Sequence, residues 1–215
     1  MRTRWLETVK HHRAIGVIRA PDWSLGLCMA RAIAQAGMSL IEIAWNSDQP
    51  ATLVTQLRQE LPNCHIGVGT ILTVNQLHLA VEAGAQFCFC PHVNVDLIQA
   101  ALAAKVAIIP GALTPTEIMA AWHAGASSVK IFPVAQVGGS QYIQSLQGPI
   151  GHIPMIPTGG ISLDNAPAMI TAGAIGVGLS SFLFPKRALA MGNWLEVSYR
   201  AETLLTRLQT AHFSP

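Results

Sequence analysis

Four tripeptides of one kind punctuate the chain: Gln35-Ala36-Gly37, Glu82-Ala83-Gly84, His123-Ala124-Gly125 and Thr171-Ala172-Gly173. Each closes a segment of helical periodicity and opens onto a short apolar run. Glycine tolerates the left-handed backbone that ends a helix, so each tripeptide reads as a helix stop feeding a strand. Thr73, Thr114 and Asp164 stand where side-chain caps would start the next helices. Between these signals, strand-like runs fall at Ala14–Arg19, Leu40–Ile43, His65–Gly69, Phe87–Cys90, Val106–Ile109, Val129–Phe132, Ile153–Pro157 and Ile175–Leu179. Helical candidates fall at Ser24–Ala36, Pro50–Leu61, Asn75–Ala83, Val95–Ala104, Pro115–Ala124, Ser140–Leu146, Asn165–Ala172 and Leu195–Leu208. Eight strand–helix units over residues 1–215, with no linker or composition break, specify an α/β domain of one kind, a single (β/α)8 TIM barrel. An open doubly wound sheet is the alternative, but no G-x-G-x-x-G follows the first strand.

Composition narrows the partners. Hydrophobic residues make up 51% and charged residues 11% of 215, against about 25% charged in ordinary soluble domains. Such a chain buries a large core and leaves an apolar surface, which implies a homo-oligomer. A formal net charge of +2 without any Lys/Arg run argues against nucleic acid. The start, Met1-Arg2-Thr3-Arg4-Trp5, has no apolar signal core, and Ala172 to Phe184 is too short and glycine-rich to span a bilayer. A cytoplasmic protein without membrane contact is expected. Cys28, Cys64, Cys88 and Cys90 form no disulfide framework, and no C-x-x-C, H-x-H or H-E-x-x-H accompanies Cys90-Pro91-His92. These are read as reduced core thiols, with no metal site.

One residue is out of place. Lys130 lies in Ser127-Ser128-Val129-Lys130-Ile131-Phe132-Pro133, a run that should be buried on both faces. Lysine is almost never fully buried without a partner or a task. Desolvation disfavours the charged form of a buried amine, and a neutral strand lysine can attack a ketone to form a Schiff base. The competing reading is a packed stem whose head reaches water. Glu42, inside Leu40-Ile41-Glu42-Ile43-Ala44, is the second anomaly, because a closed barrel has no edge strand to expose it. A carboxyl against apolar walls has a raised pKa and can move protons near neutrality.

In a barrel the site lies at the carboxyl ends of the strands. Read in order, those ends give Arg19, Glu42 with Asn46 and Ser47, Thr70, Cys90-Pro91, Pro110-Gly111, Lys130 and Phe132, Thr158-Gly159-Gly160, and Gly178-Leu179-Ser180-Ser181. Glycines after strand seven and serines after strand eight suit a phosphate, which backbone N–H groups and a hydroxyl can hold.

Taken together, Gly67-Val68-Gly69-Thr70-Ile71-Leu72, Thr114-Pro115-Thr116-Glu117, Val129-Lys130-Ile131-Phe132-Pro133, Gly138-Gly139 and Pro157-Thr158-Gly159-Gly160-Ile161-Ser162 carry a resemblance over nearly the whole chain. The chain resembles the class I 2-keto-3-deoxy-6-phosphogluconate and 4-hydroxy-2-oxoglutarate aldolases. That resemblance implies a lyase of carbohydrate metabolism, of the Entner–Doudoroff kind, that makes pyruvate and glyceraldehyde 3-phosphate, or glyoxylate. It implies Lys130 as the Schiff-base lysine and Glu42 as general acid and base acting through water. Thr70, Pro91, Phe132 and Thr158 would then shape the pyruvate pocket, Gly159, Gly160 and Ser181 would hold phosphate, and Arg19 would contact a substrate anion. No metal or other cofactor is implied, since the protonated imine is the electron sink, and the assembly implied is a homotrimer.

Glu42-Ile43-Ala44-Trp45-Asn46-Ser47 departs from the gluconate pattern, with Asn46 where an arginine usually grips the carboxylate. The asparagine–serine pair resembles the 2-keto-3-deoxy-6-phosphogalactonate branch, as does Ala172 to Leu179, whereas Gly138-Gly139 and the Thr-Gly-Gly turn look gluconate-like. Galactonate cleavage is the rival activity. A non-catalytic phospho-sugar-binding barrel is the rival of another class, and Lys130 with Glu42 weighs against it.

Overall fold

The computed structural model describes residues 1–211. The helices are α1 (Arg2–His12), α2 (Trp23–Gln35), α3 (Pro50–Glu60), α4 (Val74–Glu82), α5 (Val95–Ala103), α6 (Pro115–His123), α7 (Ser140–Ile150), α8 (Ala166–Thr171), α9 (Lys186–Ala190) and α10 (Trp194–Gln209). The strands are β1 (Ala14–Ile18), β2 (Leu40–Ala44), β3 (His65–Gly69), β4 (Phe87–Cys90), β5 (Ala107–Ala112), β6 (Val129–Ile131), β7 (Met155–Pro157) and β8 (Val177–Leu179). The sheet runs β7-β6-β5-β4-β3-β2-β1-β8, and its paired strands are parallel. A bridge between Thr158 and Gly178 and a bond from Ile175 N–H to Met155 C=O bring β7 to β8, so the sheet curls into a barrel.

The expected helix stops are present. Gly37, Gly84, Gly125 and Gly173 take φ of 88°, 95°, 106° and 105°, the left-handed region that glycine adopts without steric cost. In each, the next residue's N–H reaches back to a carbonyl of the last turn. The fifth helix ends in the same way, but Lys105 fills the glycine's place at φ 56°. Thr73 and Thr114 close full capping boxes with Gln76 and Glu117. Asp164 is not a cap. Asn165 precedes α8, accepts from Ser162 N–H at 2.8 Å and donates to Gly160 C=O at 2.9 Å, while Asp164 pairs with Arg207.

Two helices go beyond the sequence reading. The short α9 packs Ala188 inward. The other, α1, buries Trp5 and Val9 and stands before β1. Inside the barrel, Ile15, Val17, Leu40, Phe87, Phe89, Ala107, Ile109 and Ile156 form one apolar cluster with Trp5, separate from the larger core between strands and helices. Trp5 plugs the amino-terminal end. Its ring lies 5.0 Å from Phe87 and 6.1 Å from Phe89, and its indole N–H donates to the buried Ser128 hydroxyl at 2.9 Å. That bond satisfies both a ring N–H and a hydroxyl that would otherwise be stranded in apolar surroundings. Among the described residues, no helix is long and apolar enough to cross a membrane.

Candidate active site

Two glycines of β3 open space inside the barrel. A side chain at Gly67 would strike the Phe87 ring, and one at Gly69 would strike the Glu42 carboxyl. Glu42 therefore occupies volume that β3 leaves vacant, and it is 2% exposed. Gly67 pairs directly with Glu42, and Lys130 pairs with Gly111 on one side and Ile156 on the other. The absence of a side chain at Gly111 lets Pro91 C=O approach.

A cavity of about 440 Å³ lies at the carboxyl ends of the strands, and its wall holds Glu42 and Lys130 together. Lys130 is 8% exposed, so nearly all of it is packed, and it lines this cavity. Its Nζ lies 4.6 Å from the centre of the Phe132 ring and 5.9 Å from that of Phe89. Among the described residues, the ion pairs are Arg31–Glu60, Arg200–Glu196 and Arg207–Asp164. Lys130 and Glu42 thus share the cavity without a contact ion pair, which leaves both available to a bound molecule. Burial pushes the Glu42 carboxyl above the usual carboxylate range, and the positive charges of Lys130 and Arg19 pull against that rise. Cys90, beside Lys130, is pushed up to about 11 mainly by burial, so it remains a thiol at neutral pH and no nucleophile.

Arg19, Thr70, Pro91, Phe132, Thr158, Gly159, Gly160 and Ser181 also line this cavity. Asn46 does not. Its Oδ1 instead accepts from Arg19 Nε at 3.0 Å, and Arg19 Nη2 donates to Thr70 Oγ1 at 3.4 Å. Asn46 thus holds the guanidinium of Arg19, which lines the cavity. Thr70, just past β3, takes φ 58°, a strained value for a β-branched residue. Val17, Ile161, Gly178 and Ser180 line the cavity as well. Strand alternation from Arg19 would have found Val17, and Gly178 leaves room for the Thr158 side chain.

The phosphate-type turn is built by backbone. Gly159 and Gly160 take φ of 88° and 80°, and Asn165 ties the Gly160 carbonyl. A Cβ at Gly159 would press on Phe132 and Pro133, and one at Gly160 would strike Ala135. No group of His, Cys, Asp or Glu able to hold a metal ion occurs among the described residues.

A family model described as "Aldolase: KDPG and KHG aldolase" matches residues 6–199. The chain belongs to the KDPG and KHG aldolase family. It is 32% identical over 182 residues to the 2-dehydro-3-deoxy-phosphogluconate aldolase of Pseudomonas aeruginosa, covering 84% of this chain and 82% of that one. A solved structure described as native KDPGal superposes with a TM-score of 0.84 at 28% identity, covering 92% and 95% of the two chains. The KDPG aldolase of Legionella pneumophila, described with pyruvate captured as a covalent carbinolamine, superposes with a TM-score of 0.83 at 26% identity over 89% and 93%. Members of this aldolase family are lyases, and this barrel carries a lysine and a carboxyl in one buried cavity, the equipment that imine chemistry requires.

Proposed function

We propose that the chain is a class I aldolase that cleaves a phosphorylated 2-keto-3-deoxy sugar acid, 2-keto-3-deoxy-6-phosphogluconate, to pyruvate and glyceraldehyde 3-phosphate. 4-Hydroxy-2-oxoglutarate, split to pyruvate and glyoxylate, fits the same chemistry. The Lys130 amine adds to the C2 carbonyl, and the resulting carbinolamine loses water to give a protonated imine. Removal of the C4 hydroxyl proton then breaks the C3–C4 bond, whose electron pair passes into the imine and leaves an enamine. Protonation of that enamine at C3 and hydrolysis return pyruvate and free Lys130. Glu42 takes and returns the protons, directly or through water. Arg19, Thr70, Pro91, Phe132 and Thr158 shape the keto-acid end, and Gly159, Gly160 and Ser181 hold the phosphate.

The observation that carries this reading is the burial of Lys130 and Glu42 in one cavity beside a glycine turn. Borohydride reduction with pyruvate tests it, with one adduct per chain expected on Lys130 by mass spectrometry. Absence of an adduct, or labelling elsewhere, overturns the mechanism. The bond from Arg19 to Asn46 favours a second reading, cleavage of the galactonate epimer. A guanidinium held from the side, in place of one gripping the carboxylate, changes which substrate oxygens it meets. Rates on both epimers decide between them.

The same reading takes the chain as a cytoplasmic homotrimer without nucleic-acid or membrane partners. Exposed Met191, Leu195 and Tyr199 support an apolar contact between copies, and native mass spectrometry measures the stoichiometry.

A further inference from the structure

The amino-terminal end of the barrel holds a second cavity of about 380 Å³, and the Trp5 plug separates it from Lys130. Trp5 and Phe87 form part of its wall. The polar lining comes from four separate stretches of chain: Arg4 on α1, His65 opening β3, Gln86 before β4 and Lys105 before β5. No Asp or Glu lines it. Neither Arg4 nor Lys105 belongs to an ion pair among the described residues. Gln86 Oε1 accepts from Ile66 N–H at 2.9 Å, while its NH₂ group has no acceptor among the described residues. Arg4, His65, Gln86 and Lys105 therefore share the wall of one concave space that has no carboxylate in its lining.

Lys105 supplies an independent sign. At the equivalent step after four other helices the chain carries Gly37, Gly84, Gly125 and Gly173, each in the left-handed region. After α5 the backbone closes with the same pair of hydrogen bonds, from Lys105 N–H to Leu102 C=O and from Val106 N–H to Ala101 C=O. A side chain is disfavoured at this φ of 56°. Glycine would close this helix without that strain; Arg13 after α1 also takes such an angle, at φ 58°, but of the two only Lys105 lines this cavity. The local field agrees with this: burial first, then the charges of Arg4 and Arg58, holds His65 below the usual imidazole range. His65 is then a neutral donor or acceptor beside two fixed cations.

We propose that this cavity is a binding site for a small multivalent oxyanion, with Lys105 and Arg4 as its charged contacts and His65 and Gln86 as its neutral ones. Phosphate esters and polycarboxylates share the chemistry of two or more anionic oxygens within reach of a guanidinium fork and an ammonium. The site is separate from the catalytic cavity and does not depend on the activity proposed above.

Titration calorimetry of the full chain at low ionic strength tests this with two probes, inorganic pyrophosphate and citrate. Ser181→Asp is included to close the carboxyl-terminal phosphate turn. Ser181→Asp should bind one equivalent of at least one probe, and wild type no fewer. With Ser181→Asp as background, its dissociation constant should rise tenfold or more when Lys105→Gly is added, and likewise when Arg4→Gln is added. Lys105→Gly should also melt at or above the wild-type temperature, because glycine relieves the backbone, so a loss of binding there is no loss of fold. Preference for pyrophosphate or for citrate identifies the source of the anion. Binding of neither probe overturns the site. So does binding that vanishes in Ser181→Asp, or that persists undiminished when Lys105→Gly or Arg4→Gln is added to that background.

Discussion

Glu42 and Lys130 are 2% and 8% exposed, whereas Arg19, Gly160 and Ser181 on the same cavity wall lie open to solvent. The inner pair is set by strand packing, with Gly69 emptied to admit a carboxyl and Gly111 beside the lysine. The outer set is held by turn backbone and by side chains such as Asn46 and Asn165 that touch other protein groups. Covalent chemistry needs a dry, fixed environment, while recognition of a charged tail needs donors near water. Changes inside should therefore fall on kcat, and changes at the rim on KM.

The largest effect is expected for Lys130→Met, which removes the amine and retains the volume. Steady-state assays should show kcat reduced by more than about 10⁴-fold, with the fold intact by circular dichroism. Wild-type turnover in this variant would break the contrast at its centre.

Glu42→Gln should lower kcat by about 10²–10⁴-fold. It also has a stability signature. Burial raises the folded carboxyl above its ordinary 4.5, so between the two values the folded state keeps a proton that the unfolded state has released. Stability is fully present below the ordinary value and declines as pH rises through the raised one. Glutamine has no proton to lose, so the melting temperature of Glu42→Gln relative to wild type should increase from acid to neutral pH. A flat difference would mean that Glu42 ionises as an exposed residue does.

At the rim, Ser181→Asp should raise KM for the phosphorylated substrate by about 10²-fold, since like charges brought together cost several kcal/mol. Cleavage of 4-hydroxy-2-oxoglutarate should change little, and equal losses on both substrates would erase the distinction. Gly160 is a poorer choice, because any side chain there meets Ala135 at a backbone angle that only glycine adopts freely.

The smallest expected effect belongs to Asn46→Ala, about threefold to tenfold in KM with kcat nearly constant, the scale of one ordinary hydrogen bond. Restoration by Asn46→Asp, which keeps the acceptor for Arg19, separates holding from direct contact. A change in kcat alone would place Asn46 with the inner pair.

Lys130 and Glu42 were legible in the sequence because a charge amid apolar strand residues has few destinations. Eight strand ends and four glycine stops located the cavity wall by short-range chemistry that recurs along the chain. Asn46 was not legible. It follows the end of β2, where strand alternation no longer dictates direction, and its partner Arg19 lies 27 positions away. The α1 plug escaped for a related reason, since nothing local announces that Trp5 will meet Ser128 across 123 positions. Asp164 shows the opposite error, a plausible cap displaced when Asn165 took both the Ser162 N–H and the Gly160 C=O.

The Trp5 plug also governs traffic. Trp5, Phe87 and Phe89 meet at tilted and edge-on angles and fill the lower barrel beneath the catalytic cavity. On the aldolase reading, substrate, the water expelled as the imine forms and both products would then pass by the carboxyl-terminal end. With Lys130 bonding the keto-acid end as proposed above, that end would lie by the buried pair and the phosphate end by the exposed rim. The aldehyde fragment must then leave before pyruvate can, and new water must follow it down to free the lysine. The order of departure would thus be set by the covalent bond to Lys130, before any question of relative affinity arises.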